Sequence, residues 1–246
     1  MKKKICFFTV FNLFFVNLQT NALEKGFVYL KDIDPTIKSD LRYFSTNNFT
    51  NQRVPGYKKA EVILTKEAAV ALKCAQQKFN NNNYSIVVYD AYRPQTAVNF
   101  FIKWSKDLKE QEKKSWFYPR VDKAKVFDLG YVASKSGHSR GSTVDISLIK
   151  NDKKISKIVP EERKYSDGMK MYYLNDGTED FGSSFDLFDV ASHYENNLIT
   201  KEQQEKRFYL KNIMDSCGFN NYKEEWWHFT LRNEPFPETY FDFSVE

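Results

Sequence analysis

The sequence predicts a single α+β domain in which helices flank a mainly antiparallel sheet. Three observations carry this prediction. Amphipathic helical segments and strand-like runs interleave without the regular spacing of βαβ units. No glycine-rich phosphate loop follows any of the strand-like runs. The chain of 246 residues also contains no internal repeat and no long linker, which favours one domain.

The first half of the chain supplies two helices around one strand. Residues 65–79 place apolar side chains at helical spacing behind Thr65, a candidate N-cap. The run SIVVYD at 85–90 is typical of a strand. After the turn that Arg93-Pro94 makes, residues 96–108 are predicted to form a second helix with an aromatic face.

The second half adds strands and one long helix. TVDISL at 143–148 alternates as a strand does. A helix is expected from Thr200, which forms a capping box with Gln203, to Cys217, where Gly218 stops it. The aromatic segment EEWWHFTL at the end of the domain is predicted to be a strand.

The N-terminus has the pattern of a signal peptide. Lys2, Lys3 and Lys4 precede an apolar run that is too short and too Asn-broken to span a bilayer comfortably, and small residues near Ala22 offer a cleavage site. We therefore expect residues 1–22 to be removed and residues 23–246 to form one exported domain, in the periplasm or the medium, without stable membrane association.

Charge and cysteine content say little about partners. The formal charge of +5 includes three lysines of the leader, and the remaining basic residues are scattered among acids, so nucleic acid is not indicated. Cys74 and Cys217 remain after processing. An oxidising compartment would permit a disulfide between them, but two buried free thiols are the favoured interpretation.

Two of the three histidines are themselves candidate metal ligands, together with one aspartate. Two imidazoles, one carboxylate and an open position are the donor set of catalytic zinc, and His138, Asp145 and His228 would supply it. Residues seven apart on a regular strand face opposite sides, so the glycine at 141 must turn the chain between His138 and Asp145. Glu225 must likewise precede the strand that carries His228, or a bulge must intervene.

The remaining chemistry also has candidates. Glu225 is suited to accept a proton from water and pass it to the leaving amine. Arg93, placed by Pro94 after a buried strand, is the candidate cation for the tetrahedral oxyanion. Each residue has an ordinary structural alternative: either histidine could be a core residue, Asp145 could simply pair with Arg140, and Arg93 could be an exposed turn residue.

Three motifs occur together and in one order: DAYRP at 90–94, SGHSRGSTVD at 136–145 and EEWWHF at 224–229. In order and character they resemble the VanX-type D-Ala-D-Ala dipeptidases of peptidase family M15. The resemblance covers most of the chain after the leader, from DLRYFSTNNFT near its start to LRNEPFPETYFDF at its end.

The resemblance implies a fold shared with DD-carboxypeptidases and the hedgehog signalling domain, one Zn²⁺ per chain and hydrolysis of D-Ala-D-Ala. It implies metal ligation by His138, Asp145 and His228, catalysis by Glu225 and Arg93, and substrate binding by the residues at two further positions. These are Asp186, which would recognise the free amino terminus, and Ser136. His193 matches no ligand and is expected to be structural.

The sequence departs from the family's pattern in three places. Gly137 stands where a polar residue is expected before the metal histidine. The stretch from about 150 to 180 is longer and is interpreted as a hairpin near the cleft. The leader is the third departure. It predicts export, so the enzyme would meet dipeptide released from the cell wall, in turnover or scavenging. A zinc DD-carboxypeptidase acting on stem peptides and a non-catalytic metal-binding module of the same fold remain the alternatives.

Overall fold

The structure is a computed structural model that describes residues 23–246. The predicted signal peptide, residues 1–22, lies outside the described residues. The strands are β1 (Phe27–Tyr29), β2 (Lys38–Ser39), β3 (Ile63–Thr65), β4 (Tyr84–Asp90), β5 (Thr143–Lys150), β6 (Val159–Lys164), β7 (Lys170–Asn175), β8 (Phe219–Asn221) and β9 (His228–Leu231). The α-helices are α1 (Leu30–Ile33), α2 (Lys66–Asn80), α3 (Gln95–Lys106), α4 (Lys114–Phe117) and α5 (Lys201–Ser216).

The central sheet has five strands in the order β2-β4-β5-β9-β8. Only the short β2 runs parallel to its neighbour β4, and the other three pairings are antiparallel. Two further pairs, β1 with β3 and β6 with β7, are antiparallel as well. The predicted α+β fold with a mainly antiparallel sheet is therefore confirmed.

The predicted starts of α2 and α5 hold because their capping residues act as expected, whereas the helix predicted at 96–108 is observed as α3 and ends at Lys106. The Thr65 side chain accepts a hydrogen bond from the Ala68 amide at the start of α2. At α5 the capping box is complete, with Thr200 accepting from the Gln203 amide and the Gln203 side chain accepting from the Thr200 amide. Both helices pack against each other and against the sheet that they flank.

The core is densely aromatic below the cleft. The β5 strand is buried along seven of its eight residues, as expected for a central strand. Next to it, Phe49 contacts the rings of Phe101, Trp104 and Phe188, with centroid separations of 4.8, 4.8 and 5.0 Å. These rings join the 42–50 segment and α3 to the loop before α5, so the walls of the cleft share one rigid base.

The final strand is shorter than the sequence predicts. Of EEWWHFTL, only His228–Leu231 forms β9, and the four residues before it belong to a turn. Both tryptophans are nevertheless buried: Trp226 stacks on Phe181 and Trp227 packs against Phe185. The aromatic composition that predicted a strand reflects the burial of large rings, and a buried turn can bury such rings as well.

The long stretch before residue 180 is a hairpin, as predicted, formed by β6 and β7. Its position was predicted wrongly. It packs beside α4, and Tyr165 reaches back to donate to the Gly182 carbonyl, but none of its residues lines the main cleft. Among the described residues, no helix is both long enough and apolar enough to cross a membrane.

Cys74 and Cys217 form a disulfide, which overturns the interpretation as free thiols. The bond joins α2 to the C-cap of α5, with the two Cα atoms 5.9 Å apart. Neither cysteine is fully buried, so the expectation of two inert core thiols fails on burial as well. Residues 143 positions apart are thereby tied together next to β8, the strand that leads into the cleft.

We predict that the Cys74→Ser/Cys217→Ser double variant is destabilised. Loss of a native cross-link typically costs about 2–5 kcal/mol, because the unfolded chain regains conformational freedom. Urea denaturation of the oxidised wild type and the double variant measures this directly. The wild type reduced under the same conditions should match the double variant, and an unchanged unfolding midpoint in both would contradict the prediction.

Candidate metal centre and active-site cleft

The candidate site lies where three neighbouring strands meet in register. Asp90 of β4 is opposite Asp145 of β5, and Asp145 is opposite His228 of β9. Opposed residues on antiparallel strands project from the same face, so the three side chains converge. A bulge at Tyr89 produces this alignment: Val88 pairs with Ile146, and the next pairing joins Asp90 to Asp145.

His138 reaches the same point from a short 3₁₀ helix, Gly137–Arg140, that precedes β5. Gly141 ends this helix with φ of 83°, and a Cβ there would collide with the ring of Phe27. A left-handed glycine therefore turns the chain between the two ligands, as the spacing predicted. The departure at Gly137 also has a local reason, since a Cβ would lie 2.6 Å from the Thr143 hydroxyl.

The predicted metal ligands form one compact group. Single donor atoms of His138, Asp145 and His228 all lie within 4.8 Å of one another. His138 Nε2 is 3.3 Å from Asp145 Oδ2, and His228 Nδ1 is 3.1 Å from Asp145 Oδ1. His138 Nδ1 donates to the Ala91 carbonyl at 2.7 Å, which leaves Nε2 as the nitrogen with a free lone pair.

These residues fit a divalent metal ion. His138 Nε2 and Asp145 Oδ1 are buried, yet neither makes a hydrogen bond within the part of the chain that the structure describes. Buried polar atoms without partners are costly, and a cation shared by two imidazoles and a carboxylate would satisfy both. Three protein donors also leave a coordination position open, as catalytic sites require.

Glu225 lies beside the metal group without belonging to it. Its Oε2 is 3.4 Å from His228 Nδ1, and its backbone amide donates to the Tyr222 carbonyl. β9 begins only at His228. Glu225, three residues earlier, therefore lies before the strand and does not have to follow its alternation of faces. Burial raises the pKa of Glu225 well above its ordinary value, and the carboxylates of Asp145 and Asp186 act in the same direction.

Arg93 is buried in the cleft and is not an exposed turn residue. Its Nε donates to Asp90 Oδ2 at 2.9 Å, and its Nη2 is 3.8 Å from Asp145 Oδ2. The guanidinium also lies over the rings of Tyr43 and Phe101. Arg140 does not pair with Asp145, since it forms a two-point ion pair with Glu234 at 2.9 and 2.6 Å.

The other two predicted site residues also line this cleft. Asp186 has φ of 60°, a strained conformation for a non-glycine residue, and accepts a hydrogen bond of 2.9 Å from the Tyr43 hydroxyl. Burial raises the pKa of Asp186 well above its ordinary value. Ser136 caps the 3₁₀ helix by accepting from the His138 amide. His193 lies outside the cleft, where its Nε2 is 3.2 Å from the Tyr131 hydroxyl.

Opposing effects act on the metal-ligating carboxylate. Burial alone would raise the pKa of Asp145, but the adjacent His138 and His228 outweigh it and hold that pKa below its ordinary value. For His228, burial lowers the pKa despite the neighbouring Asp145 carboxylate. An ionised carboxylate and a neutral imidazole are the protonation states that ligate a metal.

The cleft that joins these groups is small, with a volume of about 250 Å³. Ligand pockets are more often roughly 300–1,000 Å³, so a small substrate is indicated. Its lining comprises Tyr43, Phe49, Arg93, Phe101, Gly130, Tyr131, Val132, Ala133, Ser136, Gly137, His138, Arg140, Asp145, Asp186, Tyr222, Glu225, His228 and Thr230.

Sequence reasoning missed the groups that hold the site residues in place. Asp90 bonds Arg93 and also accepts from the Tyr57 hydroxyl at 2.7 Å. Arg207 of α5 is 1% exposed and donates to the carbonyls of Phe181, Ala191 and His193, fixing the loop that carries Asp186. Asp90 and Tyr43 lie within motifs noted in the sequence, but nothing in the sequence distinguishes Arg207 from a surface arginine.

The comparisons with known proteins agree with this geometry. A family model described as D-Ala-D-Ala dipeptidase, of the M15 peptidases, matches residues 23–157 and 170–246. The unmatched residues 158–169 contain the β6 strand and the whole turn that connects it to β7, so this part of the hairpin is an addition to the family pattern.

Curated relatives match along nearly the whole chain. A D-alanyl-D-alanine dipeptidase of Streptomyces coelicolor is 35% identical over 220 residues, covering 89% of this chain and 98% of the relative. One of Enterococcus faecalis is 35% identical over 224 residues, covering 91% and 100%. One of Escherichia coli is 28% identical over 204 residues, covering 83% of each.

We predict that His138→Ala and His228→Ala each abolish stoichiometric metal binding. Each variant removes one of three protein donors and leaves the buried Asp145 carboxylate with a single imidazole. Metal content after dialysis, measured by elemental mass spectrometry, should fall from about one ion per chain to a small fraction. His193→Ala is the matched control, since this third histidine lies outside the cleft and its loss should leave the metal content unchanged. Full metal retention in either ligand variant would refute the assignment.

Proposed function

The chain belongs to the M15 peptidase family of D-Ala-D-Ala dipeptidases, and we propose that it hydrolyses D-Ala-D-Ala to two molecules of D-alanine. One observation carries the proposal. Glu225, which is not a candidate ligand, lies 3.4 Å from the candidate ligand His228, in a cavity that also contains Arg93 and Asp186. Metal donors, a general base, a cation and an acid for an ammonium group are thus within reach of one small substrate.

We propose zinc as the metal, held by His138, Asp145 and His228. Two imidazoles and a carboxylate are the donors that catalytic zinc uses. When bound, zinc supplies Lewis acidity, which polarises the scissile carbonyl and lowers the pKa of a water in the site towards about 7.

Glu225 and Arg93 divide the remaining chemistry. Glu225 accepts the proton of the water that adds to the carbonyl carbon and then transfers it to the nitrogen of the leaving D-alanine, so that the peptide C–N bond breaks as the tetrahedral intermediate collapses. Arg93 carries a fixed positive charge beside the metal group, oriented by Asp90, and stabilises the negative oxygen of the tetrahedral intermediate.

Asp186 and Ser136 bind the substrate. Asp186 is 4% exposed and forms no ion pair within residues 23–246, so its buried carboxylate lacks a compensating cation. The ammonium group of a free amino terminus supplies that cation by a charge-assisted hydrogen bond. Ser136, at the start of the 3₁₀ helix that carries His138, also lines the cavity and contacts the same substrate.

We further propose that the protein is exported after cleavage near residue 22 and acts on dipeptide released from the cell wall. The leader-like N-terminus supports export. The disulfide between Cys74 and Cys217 supports it independently, because such bonds persist in oxidising compartments.

The decisive experiment is D-alanine release by the purified mature chain from D-Ala-D-Ala and, in parallel, from a stem pentapeptide. We expect cleavage of the dipeptide only. Glu225→Gln should lower kcat by roughly 10²- to 10⁴-fold, the usual contribution of general acid–base catalysis, with metal content unchanged.

Glu238→Gln is the control, because this exposed acid lies outside the cleft and should retain wild-type kcat. Cleavage of the pentapeptide would assign the chain to carboxypeptidase chemistry. Silence on both substrates with metal bound would identify a binding module, and dipeptide cleavage by Glu225→Gln at the wild-type rate would remove Glu225 from the mechanism.

We predict that Asp186→Asn chiefly raises KM. A hydrogen bond to a charged group contributes about 1.5–3 kcal/mol, so loss of the carboxylate charge should raise KM for D-Ala-D-Ala by roughly 10- to 100-fold. The wild type should discriminate strongly against N-acetyl-D-Ala-D-Ala, and Asp186→Asn should lose most of that discrimination. Steady-state kinetics with both substrates tests this, and an unchanged ratio of kcat/KM values would show that Asp186 does not recognise the ammonium.

A further inference from the structure

A hydrogen bond crosses the cleft between its two walls. One wall contains Gly130–Ala133 and leads to His138, whereas the other is the turn from Tyr222 to Glu225 that leads to His228. The Tyr222 hydroxyl donates to the Gly130 carbonyl at 3.3 Å, and both residues line the cavity. Nothing in the assigned chemistry of metal, base, cation and amine recognition uses this bridge.

The bridge lies at the solvent side of the cleft. Tyr222 is 37% exposed, although its ring also packs edge-on against His228 with the centroids 5.5 Å apart. Asp186 is only 4% exposed and therefore lies in a more enclosed part of the same cavity than Tyr222. A substrate whose amino terminus meets Asp186 must direct its carboxyl-terminal end towards the rim, where Tyr222 lies.

Both ends of the bridge are held by other contacts. The Tyr222 amide donates to the His228 carbonyl at 3.0 Å, and the Asn221 side chain donates to the carbonyls of Glu225 and His228. On the opposite wall, Tyr131 donates its amide to the Val126 carbonyl and stacks on Phe188 at 5.5 Å. The bridge therefore joins two fixed walls.

Gly130 allows the close approach for two reasons. Its φ of 82° is a conformation that other residues adopt only with strain, and a Cβ there would lie 3.1 Å from the Tyr222 hydroxyl. A larger residue would displace the hydroxyl and open the gap between the walls. Glycine at this position is consistent with a rim that has to close.

We propose that the Tyr222–Gly130 bridge sets the length of the substrate by closing the cleft beyond the second residue. This inference rests on the proposed dipeptidase function and names the specificity-determining contact of that site. A dipeptide with a free carboxyl terminus fits inside the bridge. A peptide extended at its carboxyl end must displace the Tyr222 ring, which costs its contacts with both His228 and Gly130.

The test compares D-Ala-D-Ala with D-Ala-D-Ala-Gly, which keeps the free amino terminus and is extended at the carboxyl end only. Cleavage of the peptide bond after the amino-terminal residue releases D-alanine from both substrates. In Tyr222→Ala, the ratio of kcat/KM for the tripeptide to that for the dipeptide should rise at least about tenfold, equivalent to 1.36 kcal/mol. Tyr222→Phe, which loses the hydroxyl but keeps the ring, should show a smaller rise.

Two controls make the result specific. N-acetyl-D-Ala-D-Ala, extended at the end that meets Asp186, should gain nothing in either variant. Tyr172→Ala removes a half-buried tyrosine of the β6–β7 hairpin, outside the cleft, and should leave the ratio unchanged. Metal content and unfolding midpoints confirm that all variants are folded.

The outcomes separate this inference from the function on which it rests. If the wild type cleaves the dipeptide but Tyr222→Ala has the same tripeptide-to-dipeptide ratio of kcat/KM as the wild type, the bridge is not a length filter. The dipeptidase function would then remain intact. An equal gain for the N-acetylated and the carboxyl-extended substrates also overturns it, because general loosening of the cleft would then be the cause. A wild type that cleaves no dipeptide overturns the proposed function and the filter together.

Discussion

The site depends on the register of three antiparallel strands. Asp90, Asp145 and His228 are opposite one another on β4, β5 and β9, and a shift of one residue in either pairing would turn one of them to the other face of the sheet. The bulge at Tyr89 is part of this register, because an unbroken ladder would place Asp90 opposite Val144. The sheet thus positions a metal ligand from each of two strands, together with the acid that orients Arg93.

Bringing so many ionisable groups into a buried cleft requires compensation from elsewhere. The charges of Arg93 and Asp90 compensate each other, and the Tyr57 and Tyr43 hydroxyls donate to Asp90 and Asp186. Further from the cleft, Arg207 fixes the loop that carries Asp186 through three backbone carbonyls and the Ser183 hydroxyl. A cation at His138, Asp145 and His228 completes this balance, because it gives partners to the buried donor atoms that lack them.

The hairpin and the disulfide both lie away from the cleft. The β6–β7 hairpin, partly absent from the family model, packs against α4, and the disulfide joins α2 to the end of α5. Neither contributes a side chain to the cavity. The hairpin leaves the candidate catalytic groups and the bridge at the rim unaltered, while the disulfide braces the helix that leads through β8 to Tyr222 and Glu225.

The sequence by itself determined which donors are available and how local chain geometry presents them. The two histidines, the glycine turn before Asp145, the caps of α2 and α5 and the need for Glu225 to precede its strand all follow from short-range rules of spacing and backbone conformation. Only the tertiary structure decided the cross-strand register, the start of β9 at His228, the strained backbone of Asp186, the pairing of Cys74 with Cys217 and the position of the hairpin. Each of these depends on contacts between residues far apart in the chain, which local propensity does not encode.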